Sequence, residues 1–159
     1  KIIMKSIPKI VVPIIENGIS TNKDLNKELM NKNVVIFGLP GAFTPTCSEK
    51  HLPEYIELYE EICKKNIHEI FCLSVNDPFV MISWFASIEY IHKIKGIADG
   101  NGEICNALNL LSNKKKNFMG MRCSRFALIV NNNIIKKIFI EKNSEYKVST
   151  AKNILKYLN

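Results

Sequence analysis

The chain has 159 residues, of which 47% are hydrophobic and 23% charged, a composition that fits one globular domain covering residues 1–159. No apolar stretch is long enough for a transmembrane helix and no secretion signal is visible, so the sequence predicts no membrane association. The net charge of +7 comes mostly from scattered lysines, which disfavours a nucleic-acid surface because such surfaces cluster basic and aromatic residues.

The first predicted elements are an extended segment and a buried strand. Residues 7–15 are extended, but Pro8 and Pro13 lack the N–H that a central strand needs, so we expect this segment at a sheet edge. The polar residues 20–30 predict no more than one helical turn. Residues 33–39 (NVVIFGL) form a short apolar run that is typical of a strand buried on both faces.

Two helices and another strand follow in the middle of the chain. From Leu52 the apolar residues recur at helical spacing, and Pro53 predicts a kink. Residues 69–75 predict a second buried strand, after which Asp77 and Pro78 supply the N-cap and first position of a helix. The apolar positions expected in that helix are Phe79, Ile82, Trp84, Phe85, Ile88 and Ile91.

The C-terminal part predicts a hairpin and a closing helix. A third strand at 96–98 and a short helix come first. Residues 123–130 and 134–141 are rich in β-branched and aromatic residues and are joined by three asparagines, as in a β-hairpin. Ser149 or Thr150 caps the final helix. The order β-α-β-α-β-α and then β-β-α predicts an α/β fold, with a central mixed sheet flanked by helices.

Five cysteines without a CxxC pair disfavour a structural zinc site and predict no bound metal. Their odd number suggests free thiols in a reducing intracellular compartment, the cytoplasm or an organelle. The chain begins at Lys1 rather than Met, which is compatible with a mature or trimmed form from which any targeting segment has been cut away.

Cys47 is the principal candidate for chemistry. It follows a strand and a Pro-Gly loop, where the first N–H groups of a helix lack partners and favour an anion. A thiolate is stabilised there, and the thiolate is the nucleophilic form of cysteine. The alternative is a small buried cysteine that only fills space beneath the loop.

Pro40, Thr44 and Cys47 spell P-x-x-x-T-x-x-C, which resembles the signature of the peroxiredoxins. The string PGAFTPTCSEKHLP is similar to the atypical, peroxiredoxin-5-like branch of the AhpC/TSA superfamily. The similarity continues through CLSVNDPFV, DGNG and RFALIV, and it covers nearly all of the chain from about Asn31. The resemblance implies a thioredoxin-like fold with peroxiredoxin-type insertions. It also implies an antioxidant thiol peroxidase acting on hydrogen peroxide and alkyl hydroperoxides.

The resemblance assigns roles to the motif residues. Thr44 contacts the thiolate and the peroxide, Arg125 stabilises the thiolate and holds the substrate, and Pro40 shields the sulfur from water. The alternatives are a helix N-cap for Thr44, an exposed strand cation for Arg125 and a turn proline for Pro40. Arg122 is the competing arginine, on the opposite face of a regular strand.

Three further residues are candidates for support. His51 lies one helical turn after Cys47 on the same face, where the resemblance places a pocket-side hydrogen-bonding group. A solvated helical histidine is the alternative. Gly41 belongs to the same motif. Trp84 is expected to be a core or interface aromatic rather than a substrate contact.

Many relatives in this branch carry a resolving cysteine near the C-terminus, but the corresponding stretch, Tyr146 to Asn153, has none. The resemblance therefore implies a one-Cys mechanism, in which an external thiol reduces the sulfenic acid and no cofactor is bound. Glutathione with glutaredoxin is the first candidate reductant and thioredoxin the second. The resemblance also implies a homodimer.

The other cysteines and two other functions complete the predictions. Cys63 and Cys72 are expected to be structural, Cys105 to be exposed, and either Cys105 or Cys123 to be a candidate for a disulfide. A thiol–disulfide oxidoreductase is one alternative function, although it normally uses CxxC. A redox sensor or chaperone-like binding module is the other.

Overall fold

The structure, a computed structural model, describes residues 5–158. The strands of this part are β1 (Val11–Glu16), β2 (Ile19–Asp24), β3 (Asn33–Leu39), β4 (Glu69–Ser74), β5 (Lys95–Ala98), β6 (Leu111–Asn113), β7 (Met121–Cys123), β8 (Phe126–Asn131) and β9 (Ile134–Ile140). The α-helices are α1 (Leu25–Leu29), α2 (Leu52–Glu57), α3 (Tyr59–Cys63), α4 (Pro78–Ala86), α5 (Glu103–Ala107) and α6 (Ala151–Lys156). No helix in this range is long and apolar enough to cross a membrane.

Seven strands form one mixed sheet in the order β2-β1-β5-β4-β3-β8-β9. Strands β3, β4 and β5 are parallel, and the other neighbours are antiparallel. Alternate residues of β3 face opposite sides, since successive side chains of a strand point to opposite faces. Val35 and Phe37 pack in the core under α2, α3, α4 and α6, whereas Val34 and Ile36 pack in the core under α1 and α5. The predicted α/β fold, with helices on both faces of a mixed sheet, is confirmed.

Residues that are distant in sequence lie close together at one end of the strands β3, β8 and β9. Gly38 of β3 pairs with Phe126 of β8, which in turn pairs with Ile140 of β9. Since Gly38 is near the end of β3 and Phe126 begins β8, the loop after β3 and the bend before β8 lie next to each other at this end of the strands. A Cβ at Gly38 would collide with the Phe126 ring, so only glycine permits this approach.

The N-terminal predictions need two corrections. Besides the helical turn, residues 20–30 contain all of the polar strand β2 except its first residue. Strand β2 forms an edge of the sheet. The extended segment is therefore not an edge strand, because β1 pairs with β2 on one side and with β5 on the other. Pro13 is tolerated because the pairing with β5 involves only Ile14 and Ile15.

Several boundaries in the rest of the chain also differ. The helix after Asp77 ends at Ala86, so Ile88 and Ile91 lie beyond it. The predicted strand at 123–130 is split into β7 and β8. The strands over residues 33–39 and 69–75, the cap at Asp77 and the hairpin strand near 134–141 are confirmed. Of the two candidate caps of the last helix, the structure selects Thr150, whose hydroxyl accepts from the Asn153 N–H.

Candidate active site

Cys47 lies at the start of a π-helical turn, Cys47–His51, that runs directly into α2. Its side chain is fully buried. Pro53 cannot donate a backbone hydrogen bond to this turn, and wider i→i+5 turns occur where the α-helical ladder is interrupted, frequently at functional sites. The Leu52 N–H donates to the Cys47 carbonyl in this way. The α-helical run is interrupted again at Leu58.

A guanidinium contacts the buried sulfur. Arg125 Nη2 donates to Cys47 Sγ at 3.3 Å, and only 8% of Arg125 is exposed. Arg125 occupies the bend between β7 and β8 and not a strand position, which corrects the sequence prediction. The alternative of an exposed strand cation is also wrong. A fixed cation at this distance stabilises negative charge on the sulfur.

His51 links the arginine to the C-terminal part of the chain. Its Nδ1 accepts from Arg125 Nη1 at 3.0 Å, and its Nε2 lies 3.1 Å from the Ser149 carbonyl oxygen. Because a carbonyl only accepts and a guanidinium only donates, the ring carries its proton on Nε2. The ring is fully buried, so the solvated-histidine alternative is wrong.

The loop before Cys47 is held by polar contacts. The Thr44 hydroxyl donates to the Gly41 carbonyl at 2.7 Å, so its described hydrogen bond stays within the loop and does not cap the helix. The predicted contact of Thr44 with a peroxide stays a prediction. The Pro40 carbonyl accepts from Arg122 Nη1 at 3.3 Å, and the Ala42 N–H donates to Asn76 Oδ1 at 3.0 Å.

A segment that we call the strap, residues 141–152, covers the histidine and arginine. Tyr146 packs edge-on against His51 at 5.2 Å between ring centroids and lies 6.0 Å from the guanidinium carbon of Arg125. The Tyr146 hydroxyl donates to Glu54. Glu141 accepts hydrogen bonds from Ser149. The strap thus separates the buried pair from solvent.

Sequence reasoning missed several of these contributors. Tyr146 and Glu141 belong to no sequence motif. Their position near the site depends on the register that places β9 beside β8. Arg122 was considered only as a competitor of Arg125, whereas it holds the Pro40 loop. Trp84 is a core aromatic as predicted, and its indole N–H also donates to Ser48 Oγ at 2.9 Å.

The chain matches the Redoxin family over residues 5–155. It is 45% identical over 127 residues to Peroxiredoxin-2B of Arabidopsis thaliana, a match that covers 80% of this chain and 78% of the relative. The chain belongs to the peroxiredoxin family. A crystal structure of reduced Prx3 from Vibrio vulnificus in complex with hydrogen peroxide superposes on this peroxiredoxin with a TM-score of 0.91, at 33% identity, over 98% of this chain and 97% of that one.

A second solved structure is a 1-Cys peroxiredoxin, the antioxidant protein of Plasmodium falciparum. It superposes with a TM-score of 0.89 at 38% identity, over 97% of each chain. The fold of this peroxiredoxin is therefore thioredoxin-like, and the protein is an oxidoreductase, a thiol-dependent peroxidase of the AhpC/TSA superfamily.

The other four cysteines of the peroxiredoxin have different surroundings, and all five thiols are free in the described structure. Cys105 is fully buried, which corrects the prediction that it is exposed. A hydrogen bond with Cys123 and burial raise the pKa of Cys105 strongly. Burial likewise raises the pKa of Cys72 and of the half-buried Cys63. These three thiols are held in the protonated form, which is the poorer nucleophile.

Within residues 5–158, no three His, Cys, Asp or Glu side chains are placed to hold a metal ion together.

The burial of His51 predicts an acid-dependent loss of stability. Burial, followed by the charge of Arg125, lowers the pKa of His51 from 6.5 to about 3, although the bond to Ser149 opposes this shift. The unfolded chain therefore binds a proton that the folded site rejects. We expect the free energy of unfolding to decrease as the pH falls from 6.5 toward 3, measured by urea denaturation.

The matched control is His51→Leu, which removes this titration and keeps all others. Its stability should depend less steeply on pH in the same window. Equal slopes for the two proteins would contradict a buried neutral histidine.

Proposed function

We propose that Cys47 is the peroxidatic thiol and that the protein follows a one-Cys mechanism. The observation that carries this proposal is the 3.3 Å hydrogen bond from Arg125 Nη2 to Cys47 Sγ. In the described structure this contact distinguishes Cys47 from the other cysteines, three of which have raised pKa values. A desolvated cation that is hydrogen-bonded to a thiol favours negative charge on that sulfur, whereas at Cys72 burial outweighs the charge of Arg125.

The reaction is a displacement on oxygen. The Cys47 thiolate attacks one oxygen of hydrogen peroxide or an alkyl hydroperoxide, an S–O bond forms, and the O–O bond breaks. The departing oxygen takes a proton and leaves as water or an alcohol, while the cysteine becomes a sulfenic acid. Arg125 stabilises charge near the sulfur, Pro40 and Gly41 shape the loop, and Thr44 faces the incoming peroxide. Donors fixed at a site of developing charge are a large source of rate acceleration.

The absence of a resolving cysteine from the strap supports resolution by an external thiol. Tyr146 and Ser149 lie directly against His51, and neither they nor their strap neighbours are cysteines. A thiol from another molecule then attacks the sulfenic acid and releases water, and a second thiol frees Cys47. No metal or organic cofactor takes part, because the electrons come from thiols.

Glutathione with glutaredoxin is the reductant that we propose first, with thioredoxin as the alternative. Either requires a compartment that keeps thiols reduced, the cytoplasm or an organelle. Because Cys47 is fully buried, the π-helical turn must open before a protein thiol reaches the sulfur.

The test is intact-mass analysis and peptide mapping after one equivalent of hydrogen peroxide, with a sulfenic-acid trap. We expect the trap on Cys47 alone. A mass loss from a disulfide between Cys47 and another cysteine would contradict the one-Cys mechanism. An unmodified Cys47 would contradict the peroxidatic assignment. Oxidised protein that is reduced by none of glutathione, glutaredoxin and thioredoxin would favour the redox-sensor alternative.

We further propose that the protein is a homodimer that associates through an aromatic rim, which we define as Phe43, Phe79 and Phe118. Their exposed fractions are 55%, 82% and 99%. The rim loops adjoin one another, since Ala42 bonds to Asn76 and Gly41 lies beside Met119. A cluster of solvent-exposed apolar side chains marks an interaction site. Phe43 and Phe118 also adopt left-handed backbone conformations. Such strained conformations are concentrated at functional segments.

The dimer is tested by sedimentation at several protein concentrations. Phe118→Ser should shift the protein toward the monomer, because it removes the most exposed rim side chain. The control is Ile19→Ser, which changes an exposed apolar residue on the edge strand β2 and should leave the mass unchanged. A monomeric wild-type protein, or equal behaviour of the two variants, would contradict this interface.

A further inference from the structure

Glu141 is a buried carboxylate that contacts neither Cys47 nor its motif. Only 6% of the residue is exposed, and no ion pair of the described residues includes it. Burial alone would raise the pKa of Glu141, but hydrogen bonds from Ser149 and Lys147 outweigh that effect and lower it. A buried anion without a cationic partner is costly, so its hydrogen bonds need a structural or functional reason.

Those hydrogen bonds converge on the strap. The Glu141 Oε2 atom accepts from the backbone N–H of Lys147 at 2.8 Å, from the N–H of Ser149 at 2.8 Å and from Ser149 Oγ at 2.7 Å. Three donors on one carboxylate oxygen fix the position and direction of the Ser149 peptide, since bonds to an ionised acceptor are the stronger kind.

The fixed peptide presents its carbonyl to two side chains under the strap. The Ser149 oxygen accepts from Tyr55 Oη at 2.7 Å and from His51 Nε2 at 3.1 Å. This bond keeps the His51 proton on Nε2 and leaves the Nδ1 lone pair for Arg125 Nη1 at 3.0 Å. The second guanidinium nitrogen, Nη2, then points at Cys47.

Glu141 also contacts Arg125 through the backbone. The Glu141 N–H donates to the Arg125 carbonyl at 2.9 Å, at the edge where β9 ends beside the start of β8. One residue therefore fixes both the main chain of the arginine and the acceptor that orients the histidine. A continuous series of hydrogen bonds runs from the carboxylate to the sulfur.

We propose that Glu141 is a positioning residue for the peroxide reaction, which sets the Arg125–Cys47 geometry through Ser149 and His51. It touches neither the substrate nor the sulfur. The proposal rests on the proposed function of Cys47 and adds to it a residue that the sequence motif does not contain. Residues that orient catalytic groups through hydrogen bonds lower activity when they are changed, even at a distance from the chemistry.

The first test is Glu141→Gln, which keeps the shape and an acceptor oxygen but removes the charge. We expect the rate constant with hydrogen peroxide to fall roughly three- to tenfold, the loss expected from one weakened hydrogen bond in the series. The pH dependence of this rate should move to higher pH, because the arginine is less well placed to stabilise the thiolate. Glu145→Gln is the matched control, a strap glutamate with an exposed ion pair to Lys147, and it should change neither quantity.

A double-mutant cycle separates positioning from a general structural role. If Glu141 acts through His51, then Glu141→Gln should have almost no further effect on the rate in a His51→Leu background. Additive losses would overturn the proposal. So would a Glu141→Gln protein that is less stable but has the wild-type rate and pH profile.

A second variant covers the case in which Glu141→Gln does not fold. Ser149→Ala removes one of the three donors and keeps the carbonyl, and it should lower the rate by a smaller factor with the same shift in pH profile. A wild-type rate in that variant would overturn the proposal. The underlying function is tested separately: an active Cys47→Ser protein would refute it, whereas an inactive one with a normal Glu141→Gln rate would refute only the positioning role.

Discussion

Cys47→Ser is expected to abolish peroxide turnover while the protein remains folded. The serine hydroxyl has nearly the size of the thiol, so it fits the buried site at the start of the π-helical turn. Its oxygen is not ionised near neutral pH and is a poor nucleophile without an activating base. Peroxide consumption in the presence of excess reductant should fall to the uncatalysed rate, and circular dichroism should show an unchanged fold.

Cys63→Ser is the matched control for this experiment. Cys63 is half-buried in α3, outside the site, and burial raises its pKa. This variant should keep the full peroxidase rate. A Cys47→Ser protein that retains turnover would show that another cysteine carries the reaction, and the Cys63, Cys72, Cys105 and Cys123 variants would then identify it.

Arg125→Met is expected to lower the rate constant with hydrogen peroxide by about 10²–10³, the usual loss when one fixed donor is removed from a site of developing charge. Methionine fills much of the space but donates to neither Cys47 nor His51. The unpaired His51 Nδ1 should also reduce the free energy of unfolding by about 1–3 kcal/mol. Stopped-flow kinetics and urea denaturation measure the two effects.

Two companion variants sharpen this prediction. Arg125→Lys keeps the charge but cannot reach both partners with a planar fork, so its rate should lie between those of the wild type and Arg125→Met. Arg122→Met removes the other arginine, which holds the Pro40 carbonyl, and should have the smaller effect. A larger loss in Arg122→Met than in Arg125→Met would reverse the assignment of the two arginines.

Local signals in the sequence were sufficient for the central elements. The apolar run of β3 and the Asp77–Pro78 helix start depend on neighbouring residues, and the structure confirms both. The polar strand β2 was missed because all six of its residues are exposed or half-buried and lack an apolar alternation. Its partner β1 was assigned to the edge because the effect of Pro13 depends on where the pairing with β5 begins.

The candidate site shows the same division between local and distant information. The P-x-x-x-T-x-x-C spacing locates Cys47 without any knowledge of the fold. The sequence left His51 open between a pocket-side group and a solvated histidine, because the Ser149 carbonyl that it contacts is 98 residues away in sequence. Arg125 was selected correctly as the arginine near the sulfur but placed on a strand, since the bend between β7 and β8 leaves no local signal.

The strap has a consequence for the order in which the protein acquires reactivity. It comes after β9, so it is synthesised later than Cys47. A nascent chain therefore carries the cysteine long before it carries Glu141 and Ser149. Because domains are completed as units, the orientation of His51 and Arg125 is established only when the C-terminal segment docks. Synthesis thus produces Cys47 first, and the thiol centre is assembled only after the strap has been made and has docked.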